Sequence, residues 1–508
     1  MFRKILSVGG WTLVSRLTGF IRDVVLAAVM GVGPIADAFF VAFRIPNHFR
    51  AIFGEGAFNN AFLPAYAQVL ETGGERPARS FASRITTLML IVQIALLVVA
   101  FLGMPWVVTL LAPGFSDEPE KFDLAVTLTR ITFPYLLFIT VVTIYSGILN
   151  AHDRFWAAAA APILLNVAMI VALAVVFLFP NAGYAAAWGV TVSGALQLVL
   201  VWWDARRAGA APGLERPRID APMKTFFKAL GPAVIGSAGV QLAIFADTII
   251  ASFLPTGAVS SLYYADRLYQ LPLGVIGIAA GTVLLPEMSR RIAGGDEAGA
   301  YAAQNRTIGL TLALAAPFFV AFMVMPELIM SALFQRGAFD AEATARAGAV
   351  LAAYGLGLPA AVLIRSAVSS FYARSDTATP LIASLTAVGV NILVKILLMR
   401  TYGVVGLALG TAIGVWVNLG LLFVLAHRRG WTAPNRTLGM TCLAIAVASL
   451  LLAAFAWFAP APLAQWTAAL PAWRNEVLLG LLGAAGALIY GGALLAGLKV
   501  AGVRLSRR

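Results

Sequence analysis

The chain has 508 residues, is 60% hydrophobic and 12% charged, carries a formal net charge of +13 and has a mean hydropathy of +0.88. A water-soluble chain is roughly 45–50% apolar and about 25% charged, so this one lacks the polar surface to cover a soluble particle of its size. Its cations sit in short segments between apolar runs, not on one basic helix or an RNA-type aromatic motif, which argues against a nucleic-acid partner, and the lone Cys442 excludes a disulfide framework or a cysteine metal site.

The apolar runs are about 20 residues long, the length needed to cross a ~30 Å hydrocarbon core as helix, and lack the alternation of barrel strands. They predict fourteen spans, near residues 8–30, 36–69, 85–111, 124–150, 157–179, 184–203, 226–253, 258–289, 305–333, 345–373, 379–399, 404–426, 438–458 and 476–498. The expected fold class is an all-α polytopic membrane protein. Met1–Gly10 does not read as a cleaved signal, because the following residues include Arg16, Arg22 and Asp23 and no small-residue cleavage site, so the first span is expected to be retained. Several spans exceed 25 residues, which implies tilt or kinks, with Pro46, Pro272 and Pro359 as kink positions.

Alternate loops differ in basic content. With a cytoplasmic N-terminus, the inside segments hold about 23 of the 36 Lys and Arg and the outside segments about six, the bias of the positive-inside rule. Arg76, Arg79 and Arg84, Arg206 and Arg207, Arg216 and Arg218, and Arg428 and Arg429 are all on the inside in this reading. Both termini are then cytoplasmic, in an inner membrane, and Trp457, Trp466 and Trp473 flank the last outside loop at the interface.

The chain also repeats itself. Ala42-Phe43-Arg44-Ile45 through Phe62-Leu63-Pro64 matches Ala265-Asp266-Arg267-Leu268 through Leu284-Leu285-Pro286 with one gap. Arg44 to Arg267 is a shift of 223, which also carries Asp153 to Asp376, and Met104-Pro105 matches Met325-Pro326 at 221. The expected organisation is a lobe at 1–210, a parallel copy at 211–430 and an added helix pair at 431–508.

Charges inside the spans carry the functional signal. Arg16, Arg22, Arg44, Arg50, Arg267, Arg365 and Lys395 all fall within spans, where each cation costs roughly 2.5–3.5 kcal/mol at mid-membrane on translocon scales. Asp37, Arg44, His48 and Glu55 fall on one stripe of an ideal helix. The plain reading of any one arginine is a salt bridge or a snorkelling side chain: Arg22 beside Asp23 and Arg267 beside Asp266 have obvious neighbours. As a group, however, five of these seven in-span cations fall in spans 1, 2 and 8. That concentration implies a wet cavity or an anionic ligand, and arginine forks suit phosphate. Asp247, an acid inside span 7, reads either as a hydrogen-bonded carboxyl or as a Na⁺ or proton coupling site. His48, Arg365 and Lys395 read as packing or inter-helix contacts. No Walker loop, zinc motif or nucleophile elbow is present in the sequence, so no enzyme, resident cofactor or firm metal site is expected.

The segments Ser15-Arg16-Leu-Thr-Gly19-Phe20-Ile-Arg22-Asp23, Asp37-Ala38-Phe39-Phe40-Val41-Ala42-Phe43-Arg44-Ile-Pro46-Asn47 and Glu55-Gly56-Ala57-Phe58 resemble the signature of the MurJ (MviN) family. Tyr263-Tyr264-Ala265-Asp266-Arg267-Leu268, Leu284-Leu285-Pro286, Phe371-Tyr372-Ala373 and Asp376-Thr377 with Thr379-Pro380 extend the resemblance to span 12. It implies fourteen helices in the MATE-like multidrug/oligosaccharidyl-lipid/polysaccharide exporter fold. It also implies flipping of lipid II, the undecaprenyl-diphosphate-linked peptidoglycan precursor. On the same basis Arg16, Arg22, Arg50 and Arg267 are expected to bind substrate, with Ser15, Asp23, Asp37, Arg44, Asn47, Glu55 and Asp266 supporting the cavity. Asp247 would match part of an ion-coupling site, and the last two helices would hold the polyprenyl tail. Relatives often carry a basic pair where this chain has Arg50-Ala51. Transport coupled to Na⁺, protons or the membrane potential, and contact with cell-wall synthesis enzymes, are further expectations.

Four other readings compete, one of them a scaffold for cell-wall enzymes, which would not need the buried arginines. A flippase for another polyprenyl-linked saccharide would use the same arginines. A MATE-type exporter of cationic drugs is disfavoured by a positive cavity. A polyprenyl-phosphate glycosyltransferase would need paired acids, and the sequence has no Asp-x-Asp pair.

Overall fold

The computed structural model describes residues 2–54, 57–467 and 473–502, and their side chains except at residues 2–8, 49–54, 57, 235–243, 278, 466 and 467. The described residues are helices and short connections, in two compact units.

The first unit contains α1 (Phe2–Met30), α2 (Pro34–Gly54), α3 (Ala57–Gly73), α4 (Glu75–Leu102), α5 (Met104–Leu111), α6 (Pro119–Thr132), α7 (Tyr135–Ala151), α8 (Trp156–Ala174), α9 (Ala182–Arg207) and α10 (Ala221–Ser252). Polar caps set two of the starts: Asn181 accepts from the N–H groups of Gly183 and Tyr184, and Asp220 from that of Met223. Each such cap stabilises a helix by about 1 kcal/mol. At one end of the unit, Phe58, Phe62, Phe81 and Phe226 form an aromatic cluster, with Phe58 and Phe226 edge to face at 5.5 Å and Phe62 and Phe81 stacked at 6.1 Å. The first unit also includes the turn at residues 336–339. There Ala338 N–H donates to the Ala28 carbonyl at 2.7 Å, and a Cβ on Gly31 or on Gly337 would lie 2.3 or 2.2 Å from a facing carbonyl oxygen.

In the repeat reading α10 opens the second lobe, yet it packs with the first unit. Phe226 anchors its start. At its last residue Ser252 Oγ accepts from Gly114 N–H at 3.0 Å, and just beyond it Lys121 Nζ donates to Thr256 Oγ1 at 3.0 Å.

The second unit begins within α11 (Ala258–Pro272) and continues through α12 (Ile278–Ala293), α13 (Glu297–Val324), α14 (Pro326–Phe334), α15 (Ala341–Gly355), α16 (Leu358–Tyr372), α17 (Ala378–Arg428), α18 (Arg436–Phe458), α19 (Pro460–Thr467) and α20 (Arg474–Val500). α18 and α20 pack on α13 through Ala316, Val320, Ala448 and Tyr490, whose hydroxyl donates to the Ala313 carbonyl at 2.8 Å. Small residues at such contacts let helices approach closely within a membrane. α17 has 51 residues, roughly 75 Å of helix, long enough to cross twice. It folds back at Gly403 (φ 53°, ψ −131°). A Cβ on Gly406, Gly410 or Gly414 would collide with Leu398, Lys395 or Asn391 at 2.5–2.7 Å, so these glycines set the closeness of the two halves.

Among the described residues ten stretches are long and apolar enough to span, and α17 is one of them. With α17 counted twice, and with α1, the α2–α3 pair and α10 added, the spans number fourteen, the all-helical polytopic architecture expected from the sequence. Of the three proline positions, Pro46 lies inside α2, Pro272 ends α11 ahead of a π-helical turn at Leu273–Gly277, and Pro359 sits in the first turn of α16.

The helix order repeats along the chain, from α4 to α8 and again from α13 to α17, in a register close to 222 residues. α4 and α13 start at Glu75 and Glu297, α6 and α15 at Pro119 and Ala341, and α8 and α17 at Trp156 and Ala378, each pair 222 residues apart. The turns before α8 and α17 match atom for atom. Arg154 N–H donates to the Leu149 carbonyl at 2.8 Å beside Asp153 at φ 61°, and Asp376 N–H donates to the Phe371 carbonyl at 3.0 Å beside Ser375 at φ 60°. The counterpart of Asp376 is therefore Arg154, not Asp153: the one-residue gap before Pro64 and Pro286 has already reduced the shift from 223 to 222. The two turns close with opposite polarity. Arg154 pairs with the buried Asp204 in the last turn of α9. Asp376 pairs with Arg429, at 2.5 Å, at the end of α17. The Thr379 N–H and hydroxyl, with Arg429, hold the Asp376 carboxyl down at about 2.

Candidate functional site

In the first unit the site is built on α1. Arg22 is only 7% exposed although it lies in a span. Its Nε and Nη2 donate to Asp23 Oδ1 at 3.0 and 2.7 Å, and its Nη1 donates to Asn166 Oδ1 on α8 at 3.0 Å. Asn166 in turn donates to the Ser15 carbonyl at 3.0 Å and to Thr18 Oγ1 at 3.1 Å. The fork is thus fixed in plane by an acid and an amide, which is how a buried guanidinium is kept in one geometry. Arg16, on the same helix, is exposed, and Ser15 contributes its backbone carbonyl.

On α2, Asp37 is 1% exposed. Its carboxylate accepts from the backbone N–H of Gly257 at 2.7 Å and from the N–H and hydroxyl of Ser260 at 2.8 and 2.7 Å. The acid therefore caps the first turn of α11 from a neighbouring helix. Asp37→Ala would strand two amides, at about 1–3 kcal/mol for each buried group left unsatisfied, while the Ser260 hydroxyl keeps the Gly257 carbonyl at 3.3 Å. The purified Asp37→Ala protein should melt several degrees below wild type, with Asp37→Asn between them. An unchanged melting temperature for Asp37→Ala would remove the capping role.

Arg44 donates from Nε to Thr248 Oγ1 at 2.8 Å, which joins α2 to α10, and this is a different partner from the acids Asp37 and Glu55 on its own stripe. Beside Thr248, Asp247 is half-buried, as is Asn47. His48 packs against Phe245, ring to ring at 5.1 Å. The Arg50 side chain and all of Glu55 lie outside the described residues.

In the second unit, half-buried Arg267 holds its guanidinium 4.5 Å over the ring of Tyr263, one turn earlier on α11. Asp266 accepts a hydrogen bond from the Gln270 amide. The stem of Arg365 lies beside Gly277 and Gly281, and Lys395 is buried against Gly410.

Sequence reasoning passed over Asn166, Thr248 and Gln270. The available signal was Asn166, a lone amide in the apolar run Pro162-Ile-Leu-Leu-Asn166-Val-Ala-Met.

The fold and these intramembrane arginines define a class, a helical multi-pass membrane protein with the architecture of transporters. A solved structure described as an inward-facing conformation of a multidrug resistance MATE family transporter of the MOP superfamily shares the fold, with a TM-score of 0.68 over 82% of this chain and 94% of that one at 14% identity. The family follows from closer matches. The model of the family "Lipid II flippase MurJ" matches residues 26–473. A probable lipid II flippase MurJ from Rhizobium meliloti (strain 1021) is 41% identical over 515 residues, covering 100% of this chain and 96% of the relative. A solved lipid II flippase MurJ in an inward closed conformation is 25% identical with a TM-score of 0.79, covering 97% of this chain and 99% of that one. The chain belongs to the MurJ family.

Proposed function

We propose that this chain moves lipid II from the inner to the outer leaflet of the bacterial cytoplasmic membrane, with both termini in the cytoplasm. The observation that carries this reading is the 41% identity, along the whole chain, to a relative named as a probable lipid II flippase. The arginines give it a chemical basis. A lipid-linked diphosphate is a compact, doubly bidentate anion, and Arg16, Arg22, Arg50 and Arg267 supply forks inside an otherwise apolar helix set. Alternating access then carries the head group while the tail stays in lipid. Each charge moved across the membrane is worth roughly 2.3 kcal/mol per 100 mV, so the potential bears on the cycle. Asp247 is the candidate carboxylate for Na⁺ or proton coupling.

Depletion of the protein in its host tests the substrate. Lipid II should accumulate and become inaccessible to reagents outside the cell. Accumulation of a different polyprenyl-linked saccharide, with lipid II unchanged, would select the alternative flippase. Orientation is tested separately: single cysteines at Ser116 and Asn181 should react with impermeant thiol reagents on intact cells, and a tag after Arg508 should not be reached. Labelling of Ser116 only after the membrane is broken would reverse the assignment.

A further inference from the structure

We propose that the first unit carries a binding site for one anionic phospholipid, formed where the linker between α9 and α10 is strapped along α4. The strap is made by side chains one turn apart on α4. Arg79 Nε donates to the Ala211 carbonyl at 2.9 Å, Ser83 Oγ accepts from Gly213 N–H at 2.9 Å, and Thr87 Oγ1 accepts from Glu215 N–H at 3.0 Å. Arg84 pairs with Asp220 and approaches Glu215 at 3.9 Å, and Ser80 Oγ donates to Glu215 at 2.5 Å. The acids of the strap are therefore engaged with α4.

Beneath the strap a groove of about 420 Å³ runs between α4, α7 and α9. Its walls include Leu90, Val141, Leu198, Val199, Trp202 and Leu214. The two polar side chains in its lining already have partners: the Thr86 hydroxyl donates to the Ala82 carbonyl, and Tyr145 donates to the Pro212 carbonyl. The groove offers hydrocarbon contact and no free hydrogen-bonding group, which suits an acyl chain.

The groove ends under a cation. Leu198, Trp202 and Arg206 follow one another at four-residue spacing on α9, and the exposed Arg206 guanidinium sits 5.0 Å from the Trp202 ring. On the strap, Leu214 and Ile219 are 72% and 73% exposed and bracket the exposed Arg216 and Arg218. Apolar side chains alternating with arginines belong at the boundary of acyl chains and anionic head groups. The occupant is thus a bilayer lipid, one chain in the groove and its phosphate at Arg206. At the matching corner of the second unit the contacts differ: Trp431 packs on Phe371, and the Asn305 amide donates to the Ala433 carbonyl at 2.8 Å.

The test uses the full-length purified protein, titrated with phosphatidylglycerol or phosphatidylcholine. Retained lipid is read by native mass spectrometry, and thermal stabilisation is read in parallel. Wild type should retain one phosphatidylglycerol and bind it about fivefold more tightly than phosphatidylcholine, the effect of one arginine at the surface. Arg206→Gln should abolish that preference while keeping binding. Val199→Trp, at a position 59% exposed, should fill the groove and lose both lipids without loss of folded protein. Equal binding of the two lipids by wild type, an undiminished preference in Arg206→Gln, or undiminished retention in Val199→Trp would each overturn the site. None of these readouts depends on the transported substrate.

Discussion

A cell that relies on an Arg22→Ala version of this chain should fail to grow, and its membranes should contain less folded protein. Arg22 and Asp23 are 7% and 4% exposed, and the guanidinium also holds Asn166 on α8. Removing one partner of a buried ion pair costs about 3–5 kcal/mol, because a buried charge loses its counterion. Arg22→Lys keeps the charge but cannot reach Asp23 and Asn166 with a rigid fork, so it should be intermediate in both measures. The double variant Arg22→Ala with Asp23→Asn removes the stranded acid. It should recover much of the folded protein while transport stays lost, which separates the structural share from the functional one. Normal growth on Arg22→Ala would contradict both shares at once.

Arg267→Ala should behave differently, with normal amounts of protein and no growth. Its guanidinium rests on the face of Tyr263 and is half-buried rather than buried like that of Arg22, and its loss removes a phosphate fork from the proposed site. The comparison with Arg44, its counterpart in the sequence repeat, sharpens the test. Arg44 makes a single hydrogen bond through Nε to a threonine hydroxyl, a contact that a lysine ammonium can also make. Arg44→Lys should therefore complement growth better than Arg267→Lys, and the reverse order would sink the assignment of roles. Quantitative complementation at matched expression decides it.

Most of the architecture was legible because hydropathy and length are strong signals in a membrane chain. Apolar runs such as those at 85–111 and 438–458 became α4 with α5, and α18. Where helices break was less legible. The predicted spans 124–150 and 345–373 each proved to be two helices, with Pro134 and Gly357 at the joints, since hydropathy does not register a two-residue interruption. The candidate residues were legible by type and less so by partner. Arg22 and Asp23 are adjacent in the chain, so their pairing could be read directly. Asp37 and the first turn of α11 are about 220 residues apart, and a carboxylate that caps a distant helix looks, in sequence, like any other acid in a span. Arg44 likewise meets Thr248 through tertiary packing that no helical stripe encodes.

The opposite polarity of the Arg154–Asp204 and Asp376–Arg429 corners bears on how a duplicated chain avoids confusing its copies. Two halves with the same helix order in the same register present a nascent chain with near-equivalent wrong partners, a hazard for any internally repeated protein. Had both corners kept the same signs, the turn before α8 could have closed just as well on the end of α17. In the 222-residue register that mistake brings Arg154 to Ala426 in place of Asp204, with Arg429 one turn on, whereas the reverse mistake brings Asp376 to Arg207. The first crossed pairing loses its acid and gains a like charge nearby, so the Arg154 corner is the one that matches a turn to the helix end of its own half.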